Sequence, residues 1–131
     1  MDAEAADLAR FLAGAIEARA FPHREHLRMA YALLQREEFA AATLAYANAL
    51  RAMTARAGRP EAFNLTVTVA FLALIAQRLR SHRGDFAAFL EANPELLDRR
   101  VLARWYRPEQ LASAEARTLF LLPDPPRATA P

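Results

Sequence analysis

The sequence predicts an all-α protein, and three observations support that fold class. Apolar residues recur at three- and four-residue spacings along most of the chain, which is the pattern of amphipathic helices. Prolines and glycines fall between these segments, where they end one helix and precede the next. The chain has 131 residues, 54% of them hydrophobic, which suits one ordinary domain. We therefore expect a single domain over residues 1–124, a bundle of about four main helices with a C-terminal lid of short helices.

The first two predicted helices are separated by a proline. Residues 3–19 carry apolar side chains at helical spacing, with acidic residues early and an arginine late, as the helix dipole favours. Pro22 interrupts the pattern, because proline has no amide hydrogen and restricts the residue before it. A second helix is predicted over residues 23–35, with Leu27 and Ala30 on its apolar face.

The third and fourth helices are predicted to be the longest. The third covers residues 37–57, since Gly58 and Pro60 follow it. The fourth covers residues 60–79 and contains a stretch, residues 67–76, without a charged side chain. A helix that is apolar on all sides is normally buried, so we expect this helix at the centre of the bundle.

Shorter elements are predicted in the C-terminal third of the chain. Asp85 is a candidate N-cap for a helix that ends before Pro94. Ser113 is a candidate N-cap for a last helix that runs through Phe120. The tail, residues 125–131, is rich in proline and is predicted to be disordered.

The composition excludes several classes of function. All 17 basic residues are arginine and no residue is cysteine, which excludes lysine Schiff bases, cysteine nucleophiles and cysteine zinc sites. Three glycines are too few for a glycine-rich phosphate loop. No apolar run approaches the ~18 residues of a membrane span, and the N-terminus lacks the basic region of a signal peptide. We expect a cytoplasmic protein that makes no membrane contact.

The densest polar cluster opens the second predicted helix. His23 and His26 are three residues apart, so both project from one face, which continues through Leu27 towards the interior. Two neutral imidazoles that face inward can bind a small ligand, hold a transition metal or transfer a proton. Alternatively, they hydrogen-bond to helix ends or to each other, or His23 caps the helix. The H-x-x-H spacing alone does not decide between these interpretations.

A second polar feature lies within the apolar fourth helix. Asn64 and Thr68 are four residues apart and share a face that Phe71 continues. A buried asparagine needs a hydrogen-bond partner, and the two histidines are candidates. Alternatively, the threonines bond to the preceding turn and Asn64 lies in an exposed first turn. The first interpretation predicts a pocket between the second and fourth helices, to which Tyr31 would contribute. Its predicted polar lining is His23, His26, Asn64 and Thr68.

The arginines of the C-terminal third are predicted to have structural roles. Arginines interleaved with aromatic residues can bind single-stranded nucleic acid. The cluster of this type comprises Arg99, Arg100, Arg104, Trp105, Tyr106 and Arg107. Acidic residues close to it in sequence can neutralise it, and the net charge of +2 is small, so we do not expect nucleic-acid binding. Arg117 is expected to pair with an aspartate, for which Asp98 and Asp124 are the candidates, and so to tie the C-terminal segment to the bundle.

Three motifs occur in a fixed order: H-x-x-H-L at residues 23–27, F-N-x-T-x-T at residues 63–68, and an A-R…P-D pattern over residues 116–124. Together they resemble a family of small, uncharacterised bacterial helical proteins, over residues 21–124. The resemblance implies an all-helical fold and no particular activity. It also implies that a histidine usually stands where this chain has Asn64. Three imidazoles would suit a metal site better than two imidazoles and an amide.

Two hypotheses about function follow from these residues. The first is a binding or accessory domain, whose pocket between the second and fourth helices takes a small molecule or a partner protein. The second is an enzyme that uses a transition metal held by His23 and His26, or one of these imidazoles as a general base. We favour the first, because the sequence offers no activated nucleophile and no cofactor motif. The Ala-rich first and third helices would also suit a homo-oligomer.

Overall fold

A computed structural model describes residues 2–125, and regular structure in this range is helical throughout, with no strand. None of the helices in this range is both long and apolar enough to span a membrane. The predicted disordered tail lies outside the described residues, apart from Pro125. The α-helices are α1 (Ala3–Leu12), α2 (His23–Arg36), α3 (Phe39–Arg56), α4 (Leu65–Leu79), α5 (Phe86–Ala92), α6 (Pro108–Leu111) and α7 (Ala114–Thr118). Short 3-10 helices cover Ala18–Ala20, Pro60–Ala62, Pro94–Leu97 and Val101–Arg104.

The first helix is shorter than predicted. The spacing of apolar residues suggested a helix over residues 3–19, but α1 ends at Leu12. Gly14 has a φ of +73°, which is the left-handed conformation that glycine adopts at helix C-termini. The amide of Ala15 donates to the carbonyl of Arg10, which completes this helix end. The chain then turns, and Phe21 stacks on Phe11 with ring centroids 5.0 Å apart.

The second and third helices lie close to their predicted bounds. The prediction over residues 23–35 is confirmed, since α2 ends one residue later, at Arg36. α3 begins after Glu38, whose carboxylate accepts hydrogen bonds from the amides of Ala40 and Ala41. α2 buries one whole side of its length, and Tyr31 and Leu33 are each no more than 3% exposed. These two helices form one wall of the core.

The predicted fourth helix is two separate elements. Residues 60–62 form a 3-10 turn, and the chain is extended at Phe63 and Asn64 before α4 begins at Leu65. Asn64 is therefore the N-cap of α4 and does not lie within the helix, as its side-chain oxygen accepts from the amide of Val67. α4 packs against α2, α3 and α7.

The C-terminal third wraps across α4 in short pieces. The two predicted caps are confirmed: Asp85 accepts from the amide of Ala88, and Ser113 accepts from the amide of Ala116. The last helix, however, ends at Thr118 and does not reach residue 120. The predicted pairing of Arg117 with an aspartate is also wrong for residues 2–125, because Asp124 pairs with Arg107 at 2.6 Å and Asp98 pairs with Arg100. The short helices turn the chain so that Arg107 approaches Asp124.

Candidate functional site

A cavity of about 320 Å³ lies between α2, α3 and α4. Four of the polar residues predicted from helical spacing line it together, and these are His23, His26, Asn64 and Thr68. Phe71, predicted to continue the same face, is also in the wall. The rest of the wall is mainly aliphatic, formed by Leu27, Ala30, Leu50, Ala62, Val67, Leu72 and Ile75. Mainly apolar walls with a few converging polar groups are typical of small-molecule sites.

His23 joins the cavity to the C-terminal third of the chain. It is the first residue of α2 and directly follows Pro22, the N-cap residue. Its Nε2 lies 2.8 Å from the carbonyl oxygen of Leu96, and because a carbonyl only accepts, Nε2 carries the proton. The ring also meets Phe71 edge-on, at a centroid distance of 5.4 Å. His23 is thus held in a defined orientation by two other elements.

His26 is partly buried beside His23 and Phe21. Its ring centroid lies 6.4 Å from that of His23 and 4.4 Å from that of Phe21. Burial, together with the charges of His23 and Arg99, lowers the pKa of His26 from 6.5 to about 4. The imidazole is therefore neutral at pH 7. With a pKa of about 4 it is a weak general base near neutral pH, which disfavours the hypothesis that His26 abstracts a proton there.

Asn64 and Thr68 have partners within the protein. The Nδ2 of Asn64 donates to the carbonyl of Leu111 at 2.7 Å, so its partner is a backbone group and not a histidine. The hydroxyl of Thr68 donates to the carbonyl of Asn64 at 2.8 Å, the bond to the preceding turn that was the alternative interpretation. Both side chains line the cavity, but each already donates a hydrogen bond to a backbone carbonyl of the protein.

Tyr31 does not line the cavity, although the sequence suggested that it would. Its hydroxyl donates to the carbonyl of Gly84 at 3.1 Å, and its ring packs against Phe86 and Phe89. Tyr31 lies one position beyond Ala30 on α2, a rotation of about 100°, which directs it to the α5 side of the helix. It is part of the core there.

Arg99 and Tyr46 also line the cavity, and helical spacing predicted neither of them there. Tyr46, on α3, is almost fully buried and donates its hydroxyl to the carbonyl of His26, so it supports the first turn of α2. Arg99 lies in the turn between two 3-10 helices, and its side chain is exposed at the edge of the cavity. Within residues 2–125 it forms no ion pair, whereas Arg100 next to it pairs with Asp98. No helical spacing links Arg99 to α2 or α4, so only the tertiary fold reveals it.

The arginine and aromatic cluster is dispersed. Tyr106 is buried and donates its hydroxyl to the carbonyl of Leu121. Arg107 pairs with Asp124 and Glu109, and Arg104 lies over the ring of Trp105. Most of these side chains are used in packing or in local ion pairs. The arrangement does not present a continuous row of free cations with stacking aromatic rings, which single-stranded nucleic acid requires.

The predicted metal ligands, His23 and His26, have no third side-chain ligand. Among residues 2–125 no group of three His, Cys, Asp or Glu side chains is placed to hold a metal ion. Zinc sites in proteins generally use three or four protein ligands, and the amide of Asn64, which also lines the cavity, is already bonded to the backbone of Leu111 and Val67. The donor set therefore fits a transition metal poorly.

Comparisons of the chain with protein-family models, with curated proteins and with solved structures find no match. The resemblance suggested by the three sequence motifs stays a prediction. What the site does has to be inferred from its own residues, their hydrogen bonds and their charges.

Replacement of Asn64 by alanine is expected to lower the free energy of unfolding by about 1–2 kcal/mol. The variant loses the cap of α4 and leaves the carbonyl of Leu111 without its donor. Asn48→Ala is the matched control, because Asn48 is exposed within α3 and bonds only to Arg51. Urea unfolding followed by circular dichroism measures both changes. Equal stability of the two variants would show that Asn64 does not join α4 to α6.

Proposed function

We propose that this protein is a binding domain for a small organic molecule and that the cavity between α2, α3 and α4 is its site. The observation that carries the proposal is the convergence of two imidazoles, from His23 and His26, on a cavity with aliphatic and aromatic walls. A volume of about 320 Å³ falls at the lower end of ligand pockets. A concave site of this size suits a small molecule better than the surface of a partner protein.

We also propose that the long helices form a bundle and that the short C-terminal elements form a lid over the cavity. Two hydrogen bonds support this arrangement: His23 donates to Leu96, and Asn64 donates to Leu111. Each joins a residue of the cavity wall to a short element of the C-terminal third. A lid held in this way covers the site while the rigid helices fix the positions of the lining residues.

The protonation and the hydrogen bonds of the polar groups in the wall favour the binding hypothesis over the enzyme hypothesis. His26 is neutral and weakly basic, and the hydroxyls of Tyr46 and Thr68 both donate to backbone carbonyls. None of these groups is arranged as a nucleophile beside a base. They are suited to hold and orient a ligand.

Filling the cavity is expected to abolish ligand binding without unfolding the protein. Val67 is a partly exposed residue of α4 in the cavity wall, so Val67→Phe places a ring in the empty volume. Val69→Phe is the control, because Val69 lies on the same helix and is equally partly exposed but is not in the wall. A small-molecule panel is screened by thermal shift, and affinities are measured by calorimetry. We expect each ligand of the wild type to bind at least about tenfold more weakly to Val67→Phe and unchanged to Val69→Phe.

The proposal fails if the ligands that bind the wild type bind equally well to Val67→Phe. Circular dichroism and the unfolding midpoint establish that both variants are folded before the affinities are compared. A loss of binding in both variants would also contradict the proposal, because it would place the ligand on a different face of α4.

A further inference from the structure

Within residues 2–125, the ionisable groups of the cavity wall include basic side chains and no carboxylate. Three basic side chains line it, His23, His26 and Arg99, and no aspartate or glutamate lies in the wall formed by the described residues. Guanidinium groups stay protonated at all physiological pH values, and imidazoles are either neutral or positive. The cavity can therefore carry positive charge, and none of its side chains contributes negative charge.

Arg99 is the strongest cation at the site and lacks an acidic partner. The other arginines near it are engaged: Arg100 pairs with Asp98, and Arg107 pairs with Asp124. Arg99 forms no such pair within residues 2–125, and its charge is close enough to contribute to the lowered pKa of His26. A guanidinium that is exposed at the edge of an apolar cavity is well placed to pair with a carboxylate, which it can bind through two parallel hydrogen bonds.

We infer that the ligand of this cavity is a small organic acid bound as its anion, with the carboxylate on the guanidinium of Arg99 and the apolar body against Leu27, Phe71 and Ile75. The inference rests on the proposed function, since it names the class of ligand for the same site. The amphipathic shape follows from the distribution of the wall residues, with the cation at the open edge and the aliphatic and aromatic groups within.

The volume limits the size of this acid. A volume of about 320 Å³ lies at the lower end of the range for pockets that take drug-sized ligands, about 300–1,000 Å³. A short aliphatic or single-ring carboxylic acid is therefore the class that fits, and nucleotides and long-chain fatty acids are too large to be enclosed.

The test compares three probes of similar shape and different charge: phenylacetate, phenylacetamide and phenethylammonium. We expect the wild type to bind phenylacetate about tenfold more tightly than either of the others, as one charge-assisted hydrogen-bonding interaction provides. In Arg99→Met the affinity for phenylacetate should fall to that for the amide. Arg100→Met is the matched control, since it removes the adjacent exposed arginine, which is not in the cavity wall, and it should keep the preference.

The results that would contradict this inference differ from those that would contradict the proposed function. If phenylacetamide or phenethylammonium binds as tightly as phenylacetate and Val67→Phe blocks it, the site exists but does not select anions, and only the inference is overturned. A preference for phenylacetate that persists in Arg99→Met overturns the role of Arg99 and with it the inference. If none of the three probes binds at millimolar concentration, the inference is overturned, and the proposed function is then decided by whether Val67→Phe blocks the ligands found in the small-molecule panel.

Discussion

The free energy of unfolding is expected to fall by about 3 kcal/mol as the pH is lowered from 6.5 to 4, because of His26 alone. In the unfolded chain the imidazole takes up a proton near its ordinary pKa of 6.5. In the folded protein burial and the charges of His23 and Arg99 hold the pKa at about 4, so the folded state binds that proton only at lower pH. The unfolded state is thus favoured progressively across this interval, and the loss of stability is complete below pH 4.

The measurement is urea unfolding at intervals between pH 7 and pH 5, for the wild type and for His26→Gln. This range avoids the titration of Glu95, whose pKa is lowered from 4.5, mainly by hydrogen bonds from its backbone and from Arg78. Over this range the wild type should lose about 2 kcal/mol of the total as the pH falls, and the variant should show a much smaller slope. Identical slopes would mean that the environment of His26 does not resist protonation. The carbon Cε1 resonance of His26 in the folded protein, followed by NMR, gives its pKa directly.

Replacement of Thr66 by valine is expected to lower the free energy of unfolding by about 2 kcal/mol. Thr66 is fully buried at the start of α4, and its hydroxyl donates to the carbonyl of Leu119 at 2.6 Å and accepts from the amide of Leu121 at 3.1 Å. Valine has nearly the same shape but cannot form either bond, so two backbone groups lose their partner. These bonds attach the segment after α7 to α4, and their loss is expected to release that segment first.

Thr54→Val is the matched control for this effect. The hydroxyl of Thr54 donates to the carbonyl of Arg51 within the last turns of α3, and it joins no second element. Unfolding by urea should show little change in this variant. Amide hydrogen exchange should show faster exchange at Leu121 in Thr66→Val and not in Thr54→Val. The assignment of Thr66 as the attachment point would be wrong if both variants were equally stable.

The positions of the histidines on the cavity could be predicted from the sequence, because helical geometry is local. Residues three and four apart on one helix share a face, and His23, His26 and Leu27 indeed lie on the same wall. The same reasoning placed Thr68 and Phe71 together on α4. The two faces that meet at the cavity were therefore predictable from helical spacing, whereas the contributions of Tyr46 and Arg99 to its wall were not.

The local backbone was harder to predict where a single residue ends a helix. The apolar spacing continues through Ile16, but the left-handed conformation of Gly14 ends α1 before that residue. Asn64 occurs within an apolar stretch and yet caps α4, because its side chain competes with the helix for the backbone amide of Val67. Periodicity describes which side chains share a face and says little about where the backbone leaves the helix.

Contacts between distant segments could not be predicted from spacing. Arg99 reaches the cavity from a turn in the C-terminal third, and His23 meets Leu96 in the 3-10 helix just before it. The partners of Thr66, the backbone groups of Leu119 and Leu121, carry no side-chain signal at all. These contacts depend on how the short helices turn the chain, and that depends on tertiary packing. The charge of the site, which decides the class of ligand, was therefore not visible in the sequence.

The most direct test of the account is a methyl NMR titration of the wild type with phenylacetate and, separately, with phenylacetamide. The cavity is monitored through the methyl groups of Leu27, Val67 and Ile75. A second groove, which Trp105 lines, is monitored through Leu74 and Leu102, and the core below α1 is monitored through Leu8. We predict that the methyl resonances of Leu27, Val67 and Ile75 shift in proportion to the bound fraction of the probe. The methyl resonances of Leu8, Leu74 and Leu102 should keep their positions. Shifts confined to Leu74 and Leu102, or no shifts with either probe, would contradict the account.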